Sequence, residues 1–129
     1  MIQKSNKYPI DSNIIIYHLK GGDKATKFLK DNVNFSSISR LTFTEVLSFD
    51  FTENEKNSVM ALLRQFNILD TTDAIAMKAL ENRKAKQIKL VDNIIASTAQ
   101  VYELALVTRN TKDFNNIDLQ ILDIFEENK

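Results

Sequence analysis

A chain of 129 residues with 17 basic and 17 acidic side chains has the length of one domain and no global charge to draw it to nucleic acid or a membrane. Without Cys it can build no disulfide framework, zinc ribbon or thiol nucleophile, and its lone His excludes a multi-histidine metal site. Two Gly and one Pro argue against a turn-rich all-β fold. The polar, lysine-bearing start through Pro9 has no signal-peptide core behind it, and runs such as Ile14-Ile15-Ile16-Tyr17 are too short to span a bilayer. These features predict a soluble, cytoplasmic single domain over residues 1–129, with no membrane partner.

Along the chain, residues 8–10 read as a short extended segment, because Pro9 pushes its predecessor toward β geometry. The apolar run Ile14, Ile15, Ile16, Tyr17 and Leu19 fits a buried helix or strand, with helix the reading adopted for residues 13–19. Gly21-Gly22 breaks it. Residues 23–30 place Ala25, Phe28 and Leu29 at helical spacing, and residues 34–38 read as a strand. Helix resumes from Ser39, turning Leu41, Val46 and Leu47 toward a core. Thr52 with Glu55 three residues on is a capping-box signature, opening a helix through Val59, Leu62, Leu63 and Phe66. Residues 67–69 are the next strand, and Thr71 or Thr72 caps a helix through Ala76 and Leu80. Residues 92–104 read as helix with Ile95, Ala99 and Tyr102 on one stripe. A strand at 104–107, a polar loop at 108–116 and a strand at 119–124 complete the chain. Strands separated by helices predict an α/β fold with a largely parallel sheet.

Sheets of this kind carry their sites in the crevice beyond the carboxyl ends of the strands. Asp11 follows the first strand; Thr108, Asn110 and Asp113 follow the strand at 104–107. Glu45 and Asp92 lie early on two helices. Four carboxylates on one rim would resist ionising together unless a cation joined them, and oxygen-only ligands suit Mg²⁺ or Mn²⁺. Such an ion fits phosphodiester chemistry. Each acid also has an ordinary reading: Asp11 as an N-cap, Glu45 as the distal half of a capping box with Thr42, Asp92 as a helix-dipole partner, Asp113 as a turn residue.

The segments themselves resemble the motifs of PIN-domain ribonucleases of the VapC toxin type. Asp11-Ser12-Asn13-Ile14-Ile15-Ile16-Tyr17 is similar to the opening motif, residues 38–47 with Thr42 and Glu45 to the second, residues 89–99 to the third, and residues 106–114 to the fourth and most specific. They stand in family order over nearly the whole chain, leaving residues 54–86 weakly matched. The resemblance implies a PIN-like fold, a five-stranded, mainly parallel sheet flanked by helices on both faces. It makes Asp11, Glu45, Asp92 and Asp113 the catalytic quartet, with Asp11, Asp92 and Asp113 as metal ligands and Asn13, Thr108 and Asn110 as polar supports. Ser12 stands where the family usually has Thr, and Asn110 where many relatives have Asp; Asp113 is preferred as the ligand because it offers a charge. The implied activity is Mg²⁺- or Mn²⁺-dependent endonucleolytic cleavage of RNA, often tRNA or another structured RNA. Implied partners are the RNA substrate, a VapB-type antitoxin and a second copy of the chain in a homodimer.

Residues 78–89 hold five basic side chains, Lys78, Arg83, Lys84, Lys86 and Lys89, against Glu81 alone. The patch precedes Asp92, where Lys84, Lys86 and Lys89 could grip phosphates; the plain alternative is a solvated helix face. Arg40 and Arg109, beside the acidic segments, are further RNA-binding candidates. From Asp113 onward five acids accompany one Lys, an end that RNA would avoid. His18 reads as a packing or surface residue, and Phe28, Phe43, Phe49, Phe51, Phe66 and Phe114 as core or dimer residues. Beside the endoribonuclease stands a second reading, a catalytically silent PIN-like module that binds RNA or protein; retention of all four acids favours the enzyme. A phosphotransfer or receiver domain is disfavoured, because Asp11 lacks a second nearby Asp.

Overall fold

The computed structural model describes residues 7–125. Most of the polar start, and the last acids of the tail, lie outside the described residues. Within them the chain runs β1 (Tyr8–Pro9), α1 (Ser12–Leu19), α2 (Asp23–Asn32), β2 (Ser36–Ser39), α3 (Arg40–Leu47), α4 (Glu53–Leu63), β3 (Asn67–Leu69), α5 (Asp73–Ala85), α6 (Leu90–Val101), β4 (Leu106–Val107) and β5 (Ile121–Leu122). Single 3₁₀ turns occupy Val33–Phe35 and Thr111–Phe114.

The strands pair in parallel throughout, β1 with β2, β2 with β3 and β4 with β5. They form one three-stranded and one two-stranded sheet rather than a continuous five-stranded ladder. A parallel bridge between Ile10 and Val107 joins the two, reinforced where the Asp11 amide donates to the Val107 carbonyl at 2.9 Å. The spatial order is therefore β3-β2-β1-β4-β5, and the order reverses between β1 and β4. That reversal opens a crevice at the carboxyl ends of the two strands, where Asp11 and Thr108 emerge.

Successive strand residues point to opposite faces, so Val107 and Leu106 serve different cores. Val107 joins Ile10, Ile14, Ile15, Leu29, Ile38, Val46 and Leu63, which pack α1 to α4 against the sheet. Leu106 joins Ile88, Ile95, Ala96, Ala99 and Phe114, which hold α6 and the 111–114 turn on the other face. Outside α6 lies α5, seated through Ile75, Ala79 and Ile94. A buried amide network adds to this: Asn82 Nδ2 donates toward Asn93 Oδ1, Ser97 Oγ and Gln100 Oε1 at 2.7–3.1 Å.

The apolar run after Asp11 is helix, and Gly21-Gly22 ends it in a Schellman turn, Gly22 N–H donating to the Tyr17 carbonyl and Gly21 N–H to that of His18. Gly21 takes φ 87°, and a Cβ on Gly22 would stand 2.8 Å from the Tyr17 oxygen, so neither position tolerates a side chain readily. Both halves of the Thr52–Glu55 capping box are formed, and Thr72 rather than Thr71 caps α5. Several boundaries depart from the sequence expectation. The α4 helix stops at Leu63, and Phe66 reaches the core from the turn that follows. The α6 helix begins two residues earlier than expected and ends at Val101, leaving Tyr102 exposed at its C-cap and off the buried stripe. The last strand shrinks to Ile121–Leu122, the only stretch of 119–124 that reaches β4 in register.

Candidate active site

At the crevice, Asp11, Glu45, Asp92 and Asp113 line one cleft of about 440 Å³, together with Ser12, Asn13, Phe49, Lys89 and Asn110. Each acid arrives from a different element. Asp11 stands between β1 and α1, in the N-cap position of α1, yet makes no side-chain capping bond. Glu45 is on α3, whose cap is Ser39, so the capping-box reading with Thr42 does not apply. Thr42 instead lies buried inside the helix and accepts from Ser12 Oγ at 3.2 Å. Asp92 occupies the first turn of α6, where the helix dipole favours a carboxylate, and Asp113 sits on the 111–114 turn.

Asp11 is nearly fully buried at 4% exposure. Thr108 Oγ1 donates to its Oδ2 at 2.7 Å, and the Thr108 hydroxyl oxygen in turn accepts from Asn13 Nδ2 at 3.2 Å and from the Asn110 backbone N–H at 3.1 Å. The supports Asn13, Thr108 and Asn110 therefore converge on one hydroxyl that orients one carboxylate. Burial first, then the negative charges of Asp92 and Glu45, push the Asp11 carboxyl up to about 6 despite the Thr108 bond. Asp92 is raised as well, by burial and then by Asp113 and Glu45, while Lys89 opposes the shift. Asp11 is thus repelled by Asp92 and Glu45, and Asp92 by Asp113 and Glu45.

A cation would relieve that repulsion, and the donors facing the cleft are oxygens of the kind Mg²⁺ and Mn²⁺ prefer. The buried Asn13 Oδ1, which has no hydrogen-bond partner, adds a neutral oxygen at the same place. Among the described residues no three His, Cys, Asp or Glu side chains close into a ready-made ion cage. The residues fit an ion that keeps much of its water and takes few protein ligands, as Mg²⁺ does.

The basic candidates divide. Lys89 lines the cleft and is exposed, and Lys84 is exposed on the last turn of α5. Arg40 Nε binds Asp70 at 2.8 Å, and its guanidinium lies over the Phe43 ring. Arg109 rests on the rings of Tyr17 and Phe125, 5.2 and 4.5 Å from their centroids. Lys86 donates to the Lys112 carbonyl and to Asn115 Oδ1, so three of the five cations read as RNA contacts already have partners within the chain. His18 is held by Thr26 at 2.7 Å, away from the cleft. Of the two readings of Phe49, core or dimer, its half exposure in the cleft wall excludes the core and leaves a partner surface open.

A family profile described as PIN domain matches residues 8–119. The ribonuclease VapC10 of Mycobacterium tuberculosis is 32% identical over 114 residues, covering 81% of this chain and 84% of that protein. The ribonuclease VapC2 of Methanocaldococcus jannaschii is 29% identical over 143 aligned positions, covering 94% and 96%. A chain of a toxin-antitoxin complex from Klebsiella pneumoniae superposes with a TM-score of 0.79 at 31% identity, covering 93% of this chain and 99% of its own.

Proposed function

This chain belongs to the PIN-domain family, in its VapC branch, and from that premise we propose that it is a metal-dependent endoribonuclease, the toxin half of a toxin–antitoxin pair. The observation that carries the reading is the convergence of four acids from four separate elements on one cleft at the reversal of strand order. Asp11, Asp92 and Asp113 are the residues that would hold Mg²⁺ or Mn²⁺. When bound, that ion polarises the phosphoryl oxygen, eases ionisation of the attacking water and stabilises the leaving oxygen.

The chain's own groups do the rest. Thr108, held by Asn13 and the Asn110 amide, fixes the Asp11 carboxylate with one oxygen turned away from the hydroxyl. Glu45, on the α3 side of the cleft, orients the attacking water and takes its proton as the new phosphorus–oxygen bond forms and the scissile one breaks. No covalent enzyme intermediate is required. Lys89, which lines the cleft, supplies positive charge for the phosphates that flank the cut, and Lys84, exposed on the last turn of α5, is a further cation for them. The substrate class is RNA, with tRNA or another structured RNA carried over from the resemblance. A VapB-type antitoxin and a second copy of the chain are the protein partners. The exposed Phe49, Leu80 and Leu90 offer apolar surface for them.

Mapping RNA ends after incubation with wild type, Asp11→Asn and Asp92→Asn, in Mg²⁺ and in EDTA, tests the proposal. Cleavage by wild type in Mg²⁺ alone is expected. Equal cleavage by all three proteins would refute it, and RNA binding without cleavage by any would support the silent-module reading.

A further inference from the structure

The segment between α5 and α6 is tied down by its own cations. Arg83 Nη1 donates to the Ile88 carbonyl at 3.0 Å. Lys86 Nζ donates across 26 residues to the Lys112 carbonyl at 3.0 Å and across 29 residues to Asn115 Oδ1 at 2.6 Å. Those two acceptors bracket Asp113, one residue before it and two after. Beneath the bonds, Ile88 and Phe114 are buried in one apolar cluster, so the linker and the turn pack as a unit. Three residues beyond Lys86 the same linker becomes Lys89, the N-cap of α6, and then Asp92 in the first helical turn. Lys86 therefore joins the chain leading to one acid of the cleft to the turn carrying another.

We propose that Lys86 is a positioning residue that straps the 111–114 turn to the start of α6 and so sets the spacing of Asp113 from Asp92. An ammonium with a carbonyl and an amide oxygen at hydrogen-bond distance has two of its three donors committed. It is less free to take a phosphate than Lys84 or Lys89. Loss of the strap would leave the turn held by its local bonds, Asp113 N–H to the Asn110 carbonyl and Asn115 N–H to that of Lys112, and by Phe114. The consequence for ion binding rests on the reading of the cleft given above; the strap itself does not.

Hydrogen exchange of the metal-free protein in EDTA separates the two. Lys86→Met is expected to speed exchange of the Asp113 and Asn115 amides by about tenfold, the effect of losing one charge-assisted hydrogen bond, and Lys86→Arg to restore protection. In Mn²⁺ titrations Lys86→Met should bind about tenfold more weakly than wild type, as loss of a group that orients a ligand does. With a labelled RNA hairpin in EDTA, Lys89→Met should lower the salt slope of binding by about one, while Lys86→Met leaves it unchanged. Unaltered exchange in Lys86→Met, or a slope lowered by about one in that variant, overturns the strap. A wild-type protein that takes up no Mn²⁺ removes the ion-binding reading, and the exchange data still decide the strap.

Discussion

The hydroxyl of Thr108 donates to Asp11 at 2.7 Å, joining residues 97 positions apart at the seam between the two sheets. Both strands end there, and the same hydroxyl collects the Asn13 amide and the Asn110 backbone N–H. Replacing it by Thr108→Val keeps the shape and removes every one of these bonds at a fully buried position. A loss of about 1–3 kcal/mol is expected in urea unfolding, with Thr108→Ser near wild type. Because this bond lowers the Asp11 carboxyl, its removal should also move that group above about 6 in a carboxyl NMR titration in EDTA.

Burial of Asp11, reinforced by charge repulsion in the cleft, gives the metal-free protein a distinctive pH dependence. Asp11 binds its proton more tightly folded than unfolded, at about 6 against an ordinary 3.8. The stabilisation from that proton is complete below pH ~4 and is lost as pH rises through about 6. Asp11→Asn, which cannot ionise, should therefore match wild type near pH 4. At pH 7.5 it should exceed wild type by up to about 3 kcal/mol, the value of a shift of about two pKa units. Unfolding in EDTA at both pH values measures this; a difference that does not change with pH would contradict it. The same variant should have no RNA cleavage, so stability and activity move in opposite directions.

The α5–α6 packing depends on a polar group with many dependants. Asn82→Ala would strip a donor from Asn93 Oδ1, Ser97 Oγ and Gln100 Oε1 at once, leaving the buried Asn93 Oδ1 only the 3.2 Å bond from Ser97 Oγ. A cost of about 2–4 kcal/mol is expected. Thermal unfolding in EDTA reads it directly, and a loss below about 0.5 kcal/mol, the size of a neutral surface change, would show the network to be dispensable.

Arg109 tests as a structural cation. Its guanidinium lies against Tyr17 and Phe125, whose rings meet edge-on at 5.3 Å. Arg109→Ala and Phe125→Leu should each destabilise by about 0.5–1 kcal/mol, and the double variant by less than their sum. Full additivity in urea unfolding would show that the stack carries no energy.

Local signals in the sequence survive into the fold wherever the chemistry is local. The Thr52–Glu55 capping box forms as spaced, Gly21-Gly22 ends α1, and the alternation of helix and strand yields a parallel α/β arrangement. The break into three and two strands was not legible, because β1 and β4 are each two residues long and meet only through the Ile10–Val107 bridge. The four acids are brought to one cleft as their positions after strands and on helices suggested. What sequence reasoning missed is which cations stay available. Lys86 and Arg83 find backbone carbonyls, and Arg40 finds Asp70 thirty residues away, through tertiary folding that no charge run encodes. Asp11 stands where a helix cap would, and the lack of a side-chain capping bond together with the bond from Thr108 marks its other use.

Titration of Mn²⁺ by electron paramagnetic resonance, at pH 7.5, bears most directly on the central claim that this acidic cleft holds a divalent ion. Wild type and Asp118→Asn, whose carboxylate lies outside the cleft, should bind the ion alike. Asp11→Asn, Asp92→Asn and Asp113→Asn should each lose at least about tenfold in affinity. Equal Mn²⁺ uptake by all five proteins would contradict the account.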